Sequence, residues 1–270
     1  MNVSETSNFV SADGEGYELQ MGRWSRQLAP LLIDFAGVNR AERVLDVGCG
    51  TGNLSFALAG NPEIGEICGL DRSAEYIDHA GRNNSDSRIR FRVGDACELP
   101  FPDANFDHTL SMLVLQFIPK PDIAVREMRR VTRPGGTVAA ATWDTRGGFV
   151  AYRMICDAAA MLDQRGNAWR ARSLTRPMSR PGELRDVWVA AGLTEVEQDM
   201  VTIRMNFECF DDFWSPADGR EGPISEYVTT LEGEAKARLR DAVRLAYLDG
   251  EDDGPRSYAA TAWVVRGKVP

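Results

Sequence analysis

The stretch Arg43-Val44-Leu45-Asp46-Val47-Gly48-Cys49-Gly50-Thr51-Gly52 decides how this chain is built. Its first half is a short, mostly apolar run, the pattern of a buried strand. Its second half places glycine at alternate positions, which predicts a tight turn where backbone can take positive φ and approach a ligand closely. A helix is expected directly after it, from Asn53 to Ala59. Strand, glycine turn and helix in that order make the crevice where α/β sheets bind nucleotides.

Working outward, the same alternation recurs. Leu28, Leu31, Leu32, Phe35 and Ala36 fall at helical spacing and predict a helix over about 25–36. Ile67–Asp71 reads as a second strand, with a helix over about 74–81. Ile89, Phe91 and Val93 alternate with Arg88, Arg90 and Arg92, the signature of a strand at a sheet edge. Thr109–Phe117 is almost wholly apolar and reads as a central strand covered on both faces. A helix marked by Ile123, Met128 and Val131 should stop at Pro134-Gly135-Gly136, before a strand over Thr137–Trp143. Between the third and fourth strands there is room only for a short turn within Leu99–Asn105. Beyond Asp144 we expect a helix over Phe149–Gln164, a loop at Arg176–Pro181, a helix over Glu183–Ala191, a strand over Glu195–Met205, a helix over Glu234–Leu248 and a strand over Tyr258–Arg266. The pattern is one α/β domain, residues 1–270, with a mostly parallel sheet, a polar start at 1–16 that should be frayed, and an irregular insertion near Phe207–Gly233.

Composition removes several classes of function. The 270 residues hold 31 Lys and Arg against 40 Asp and Glu, a net charge of −9, with 43% hydrophobic and 26% charged residues. That is an ordinary globular composition, and its acidity argues against a nucleic-acid partner. No apolar stretch reaches the ~20 residues of a membrane helix, and the N-terminus does not read as a secretory signal. Five widely spaced cysteines (Cys49, Cys68, Cys97, Cys156, Cys209) make no CxxC pair, so free thiols in a cytoplasmic setting are expected. No cluster of metal-ligand type stands out.

The glycine turn discriminates among nucleotides. A dinucleotide fingerprint G-x-G-x-x-G would need glycine at position 53, where this chain has Asn53; the third glycine comes one residue early. Asp46, two residues before the first glycine, is a poor neighbour for a pyrophosphate. It suits a ligand with a sulfonium and an ammonium. Asp71, 25 residues on at the end of the next strand, can accept both hydroxyls of a ribose without a 2′-phosphate. A nicotinamide oxidoreductase is therefore disfavoured. A protein that binds its ligand without transferring anything stays open.

The stretch VLDVGCGTG (44–52) resembles motif I of class I S-adenosylmethionine-dependent methyltransferases. The resemblance continues through GLD (69–71), GDACELPFPDANFD (94–107) and RRVTRPGGTVAAATWD (129–144), and is similar to the ubiquinone and menaquinone biosynthesis type. YELQMGRWSR (17–26) looks like a lead-in seen in some members. The resemblance implies a Rossmann-like sheet of seven strands with the last antiparallel and helices on both faces. It implies S-adenosyl-L-methionine as cofactor and methyl transfer to a small-molecule acceptor. By position, Gly48, Gly50 and Gly52 would pack backbone against the methionine and ribose, Asp46 would face the ammonium and Asp71 the ribose. Asp95 and the Ala96 amide would read the adenine, Met112 would pack on the cofactor, and Tyr17 or Arg23 would meet the methionine carboxylate. Residues 40–145 would form the cofactor half, with 1–36 and 145–255 as covering and substrate-shaping segments. The aromatics Phe207, Phe210, Phe213 and Trp214 are expected to form part of a lid. A general base is optional for this chemistry; Asp144, Glu208 and Asp212 are candidates by position alone. His79 and His108 read as structural, and Cys49 as no nucleophile. The acceptor, the atom methylated and the oligomeric state are not legible in the sequence.

Overall fold

The structure, a computed structural model, describes residues 14–219 and 221–270. Most of the start expected to be frayed lies outside these residues. Where it is described it is ordered: α1 (Gly14–Tyr17) runs into a five-residue π-helical segment (Glu18–Gly22) and then α2 (Arg23–Ala36). β1 (Ala41–Val47) leads through the glycine turn into α3 (Asn53–Ala59). β2 (Ile64–Asp71), α4 (Ala74–Asn83), β3 (Ile89–Val93) and β4 (Phe106–Met112) follow, then α5 (Pro121–Val131) and β5 (Thr132–Trp143).

The second half holds α6 (Val150–Leu162), α7 (Gln164–Leu174), α8 (Glu183–Ala190) and β6 (Thr194–Phe207). It ends with α9 (Phe210–Trp214), α10 (Gly222–Val228), α11 (Gly233–Leu248) and β7 (Arg256–Lys268). The seven strands form one sheet in the order β3-β2-β1-β4-β5-β7-β6. β1 pairs in parallel with β2 and β4, β2 with β3, and β4 with β5, while β7 runs antiparallel to both β5 and β6. The seven-stranded sheet with its last strand reversed is thus present. β6, paired to the same antiparallel neighbour as β5, ends on the same rim as the glycine turn.

Alternation along the strands explains the two covered faces. Val44, Leu110, Ala139 and Ala141 pack on the side of α2, α3 and α6. Leu45, Val47, Val138 and Ala140 pack on the side of α5 and α8. Strands buried on both faces read as largely apolar runs, as the second half of β5 does, while β4 also buries Asp107, Thr109 and Ser111. β3 is an edge strand, and its Arg90 and Arg92 are exposed. Trp188 on α8 is fully buried and donates its indole N–H to the Val138 carbonyl at 2.9 Å, pinning α8 to β5.

Four expectations are corrected. The apolar run Thr109–Phe117 is not one strand: Leu113 takes φ +64°, and a 3-10 turn forms at Leu115–Phe117. The run stays apolar because it leaves the sheet to wall a cavity. The helix of Ile123 stops at Val131, and Pro134-Gly135-Gly136 lies inside β5. Helix α7 was not expected, because its residues are largely polar; Asp163 caps it by accepting the Gly166 N–H at 2.7 Å, and Trp169 stacks on Tyr227 at 4.3 Å. The irregular insertion is largely helical, as α9, a 3-10 turn and α10.

Phe210 and Trp214 on α9 are buried, and Phe210 meets Tyr247 of α11 at 5.7 Å. Trp214 also donates its indole N–H to Asp218 at 3.0 Å. These two rings finish the core beneath α11. Trp214→Ala should lower unfolding free energy by about 3–5 kcal/mol in urea titration, the usual cost of emptying such a site; a change under 1 kcal/mol would contradict the packing.

Candidate functional site

The glycine turn needs its glycines for two separate reasons. Gly48 takes φ +73°, and a Cβ there would lie 2.5 Å from Val114. Gly52 takes φ +92°, and a Cβ would lie 2.9 Å from both Phe56 and Phe91. Between them the Gly50 N–H donates to Asp71 Oδ2 at 2.9 Å, while the Ser73 N–H donates to Asp71 Oδ1 at 2.9 Å. Asp71 therefore ties the turn after β1 to the turn after β2. Each of its oxygens keeps a lone pair for a further donor.

Asp46 lies beneath this turn and is 1% exposed. Ser55 on α3 donates its hydroxyl to Oδ2 at 2.7 Å, and Oδ1 is buried with no partner. Burial pushes the Asp46 carboxyl up to about 7, with the Asp71 charge acting in the same direction and the Ser55 bond opposing it. Asp71 is raised too, chiefly by burial.

The segment before α2 is clasped onto the turn. Glu18 Oε1 accepts from Thr51 Oγ1 at 2.5 Å and from Asn53 Nδ2 at 2.8 Å, and Arg26 pairs with the same carboxylate. Asn53, the residue that breaks the dinucleotide fingerprint, is thus half of a latch. Tyr17 sits beside Tyr76 at 5.4 Å between ring centres, and burial raises its hydroxyl to about 12. Tyr76 donates to the buried Glu221 at 2.6 Å. π-Helical turns often mark functional sites, and here the segment turns Glu18 toward the glycines while Gln20 and Met21 reach a cavity.

That cavity, of about 210 Å³, opens along the carboxyl ends of the strands. Of the residues singled out in the sequence, Tyr17, Asp46, Gly48, Gly50, Asp71, Asp95, Ala96 and Met112 line it. Gly52 lies behind the turn, packed on Phe56 and Phe91. Arg23 is not in the wall: it pairs with Asp212 at 3.0 Å and its guanidinium lies 4.3 Å over Trp24 and 5.1 Å over Phe207. It joins α2 to the start of α9. Asp95 Oδ1 accepts the Cys97 N–H at 2.8 Å, which orders its loop.

Among the lid aromatics only Phe207 and Phe213 reach the cavity; Phe210 and Trp214 point into the core. The three base candidates stand elsewhere. Asp144 accepts backbone N–H groups of Arg146 and Gly147, and Asp212 holds Arg23 and the Glu208 N–H. Cys49 lines the wall, but burial and nearby carboxylates hold its thiol well above the ordinary range, so it is an inert thiol. His108 accepts the Thr137 N–H at 3.3 Å and is structural. Among the described residues no group of three or more metal-ligating side chains forms, and no helix is long and apolar enough to cross a membrane.

Sequence reading missed Glu18, Trp24, Tyr76, Gln116, Trp143, Tyr152 and Arg176. Gln116 stands just past the end of β4 and Trp143 at the end of β5, and the others are marked by nothing local. Gln116 Oε1, Trp143 Nε1, Thr145 Oγ1 and the Tyr152 hydroxyl are buried without hydrogen-bond partners, and all four residues line the cavity.

Residues 45–140 match the family described as a methyltransferase domain. A malonyl-[acyl-carrier protein] O-methyltransferase of Erwinia pyrifoliae is 33% identical over 173 residues, 64% of this chain and 59% of that protein. A demethylmenaquinone methyltransferase of Bacillus licheniformis is 42% identical over 108 residues, 39% of this chain and 47% of that protein. The matches span about half the length of these curated relatives. A phosphoethanolamine N-methyltransferase of Haemonchus contortus, solved with S-adenosyl-L-methionine, superposes with a TM-score of 0.57 at 17% identity, over 95% of this chain and 57% of that one. This likeness extends the shared fold beyond the matched domain.

The Asp46 environment sets a pH dependence. Because its folded value lies above the 3.8 of an ordinary carboxyl, the folded state holds a proton that the unfolded state has lost. Stability of the ligand-free protein should therefore fall as pH rises from about 4 to about 7. In Asp46→Asn that fall should be smaller, as read from urea midpoints across the range; an unchanged slope would contradict the assignment.

Proposed function

We propose, with a methyltransferase domain at residues 45–140 as the premise, that the chain binds S-adenosyl-L-methionine and transfers its methyl group to a small-molecule acceptor. The observation that carries this reading is the buried, unpartnered Asp46 Oδ1 beside a glycine turn that Asp71 braces. A buried carboxylate with a free oxygen favours a cation, and the ligand has an ammonium at one end of its methionine part. When bound, S-adenosyl-L-methionine supplies a methyl group on a positively charged sulfur.

The chain's own groups then take these roles. Asp46 holds the ammonium, directly or through water, and ionises as it does so. Gly48 and Gly50 let backbone approach. Asp71 accepts the ribose hydroxyls on the lone pairs left by Gly50 and Ser73. Asp95 and the Ala96 N–H read the adenine, Met112 packs on the ligand, and Tyr17 meets the methionine carboxylate. Arg23 is left out of this set, because Asp212 occupies it. Gly52 acts through the shape of the turn.

The clasped segment with Gln20 and Met21, together with Phe207 and Phe213, covers the cavity and excludes water. For a displacement whose leaving group is neutral, alignment and water exclusion are the main tasks. A mostly apolar cavity in a chain of net charge −9 suits a small molecule better than a nucleic acid. The five free cysteines fit a cytoplasmic setting, and we read the chain as one domain.

Calorimetry should show binding of S-adenosylhomocysteine and none of NAD. Asp71→Ala, still folded by circular dichroism, should bind at least tenfold more weakly, about 1.4 kcal/mol, since hydrogen bonds to a charged acceptor are lost. Binding of NAD instead, or unchanged affinity in Asp71→Ala, would overturn the reading. Release of S-adenosylhomocysteine during a screen of small acceptors separates a transferase from a protein that only binds.

A further inference from the structure

We propose that the cavity carries an anion subsite at the β5 end, where Arg176, the Tyr152 hydroxyl, Trp143 Nε1 and Thr145 Oγ1 take the carboxylate of an apolar small-molecule acceptor. The proposal rests on the methyl-transfer reading and names the class of acceptor.

The cavity's carboxylates gather toward one end of the sheet, with Arg72 beside them. Asp46 and Asp71, at the ends of β1 and β2, and Asp95, just beyond β3, stand on one side. Trp143 ends β5, three strands from β2, which at ~4.8 Å per strand places the two ends roughly 14 Å apart. A continuous aromatic wall builds the β5 end: Trp143 meets Phe149 at 5.0 Å and Phe149 stacks on Tyr152 at 5.4 Å. Arg176 completes it, its guanidinium 4.8 Å over the Phe117 ring.

Arg176 differs from the arginines that brace this fold. Arg23, Arg26, Arg43, Arg88, Arg130 and Arg266 each hold a carboxylate. Among the described residues Arg176 forms no ion pair, although it lines the cavity. Tyr152 stands beside it, Trp143 follows along the aromatic wall, and Thr145 lies two residues past Trp143 in the lining of the same cavity. Tyr152, Trp143 and Thr145 are 7%, 4% and 7% exposed, and their polar atoms are buried without partners. The Tyr152 hydroxyl lies near Ser173 and Arg176 but makes no hydrogen bond of good geometry with either.

A buried donor left unpaired costs about 1–3 kcal/mol, and three lining one cavity with an unpaired guanidinium are a costly set to keep without a ligand. All four groups can donate, and the guanidinium and the indole N–H can only donate, which suits an accepting ligand group. One fixed positive charge matches a monoanion, and a planar carboxylate fits the guanidinium fork. A dianionic phosphate would bring a second charge that the aromatic wall does not balance. The rest of the ligand must suit Phe117, Phe149 and Phe213, hence an apolar body.

The test uses the full chain saturated with S-adenosylhomocysteine and calorimetry with octanoate and 2-naphthoate, their methyl esters, and octyl phosphate. We expect each acid to bind at least tenfold tighter than its ester, and octanoate tighter than octyl phosphate. Arg176→Gln should abolish the acid preference, Arg176→Lys should retain part of it, and S-adenosylhomocysteine affinity should stay within twofold in both. Equal binding of acid and ester, no acid binding at all, a preference that survives Arg176→Gln, or tighter binding of the phosphate overturns the proposal. So does a loss of S-adenosylhomocysteine affinity in Arg176→Gln, which would make Arg176 a cofactor ligand. If S-adenosylhomocysteine does not bind the wild type, the methyl-transfer reading fails separately, and the acid–ester comparison on the free protein still decides the subsite.

Discussion

Two backbone N–H groups converge on the carboxylate of Asp71, and the site is arranged around that convergence. Gly50 donates from the turn after β1, and Ser73 from the turn after β2. The turn after β1 is not stable by composition alone, because its glycines at positive φ pay a large entropy cost on ordering. A shared, buried acceptor fixes both at once. It extends past the strand ends the backbone pairing that already joins β1 to β2, where Gly48 and Cys49 donate to the Leu70 carbonyl. The cost is a second carboxylate close to Asp46, which adds to the burial that raises Asp46 to about 7. The pair is poorly suited to standing alone and well suited to a cationic ligand.

The covering elements depend on this turn in a graded way. Glu18 reaches Thr51 and Asn53, so the segment before α2 rests on the glycine turn itself. Arg23 then ties α2 to Asp212 of α9, while its guanidinium lies over Trp24 and Phe207. The two halves of the cover are thus joined by one ion pair whose partners are about a third and a quarter exposed. An ion pair this wet contributes little to stability. Its place is to align the two covering segments, and the apolar contacts of Phe207 and Phe213 hold them down.

The fold was largely legible because strands covered on both faces are mostly apolar and helices beside them are amphipathic. β1, β2, β3, α3 and α4 lie close to where the residue pattern puts them. The pattern misleads where an apolar residue serves the cavity and not the sheet. Leu113, Val114, Phe117 and Ile118 prolong the apolar run of β4 although the chain has already turned away. α7 fails to read as a helix because its stability comes from the Asp163 cap and one buried Trp169. In the cavity wall, Gly48, Gly50, Asp46 and Asp71 are legible since they fall within one short stretch and one strand spacing. Glu18, Tyr152 and Arg176 are not, because only the folded chain brings them to the cavity. Arg23 and Trp214 show the converse: side chains that suit a ligand or a lid are used in packing.

The central claim is that Asp46 is a buried carboxylate waiting for a cation. The most direct measurement is the proton balance of S-adenosyl-L-methionine binding, from calorimetry at pH 6 in two buffers of different ionisation enthalpy. With Asp46 near 7 in the free protein, binding should release close to one proton at pH 6, and Asp46→Asn should remove most of that release. Binding with no proton release at pH 6, or release undiminished in Asp46→Asn, would contradict the account.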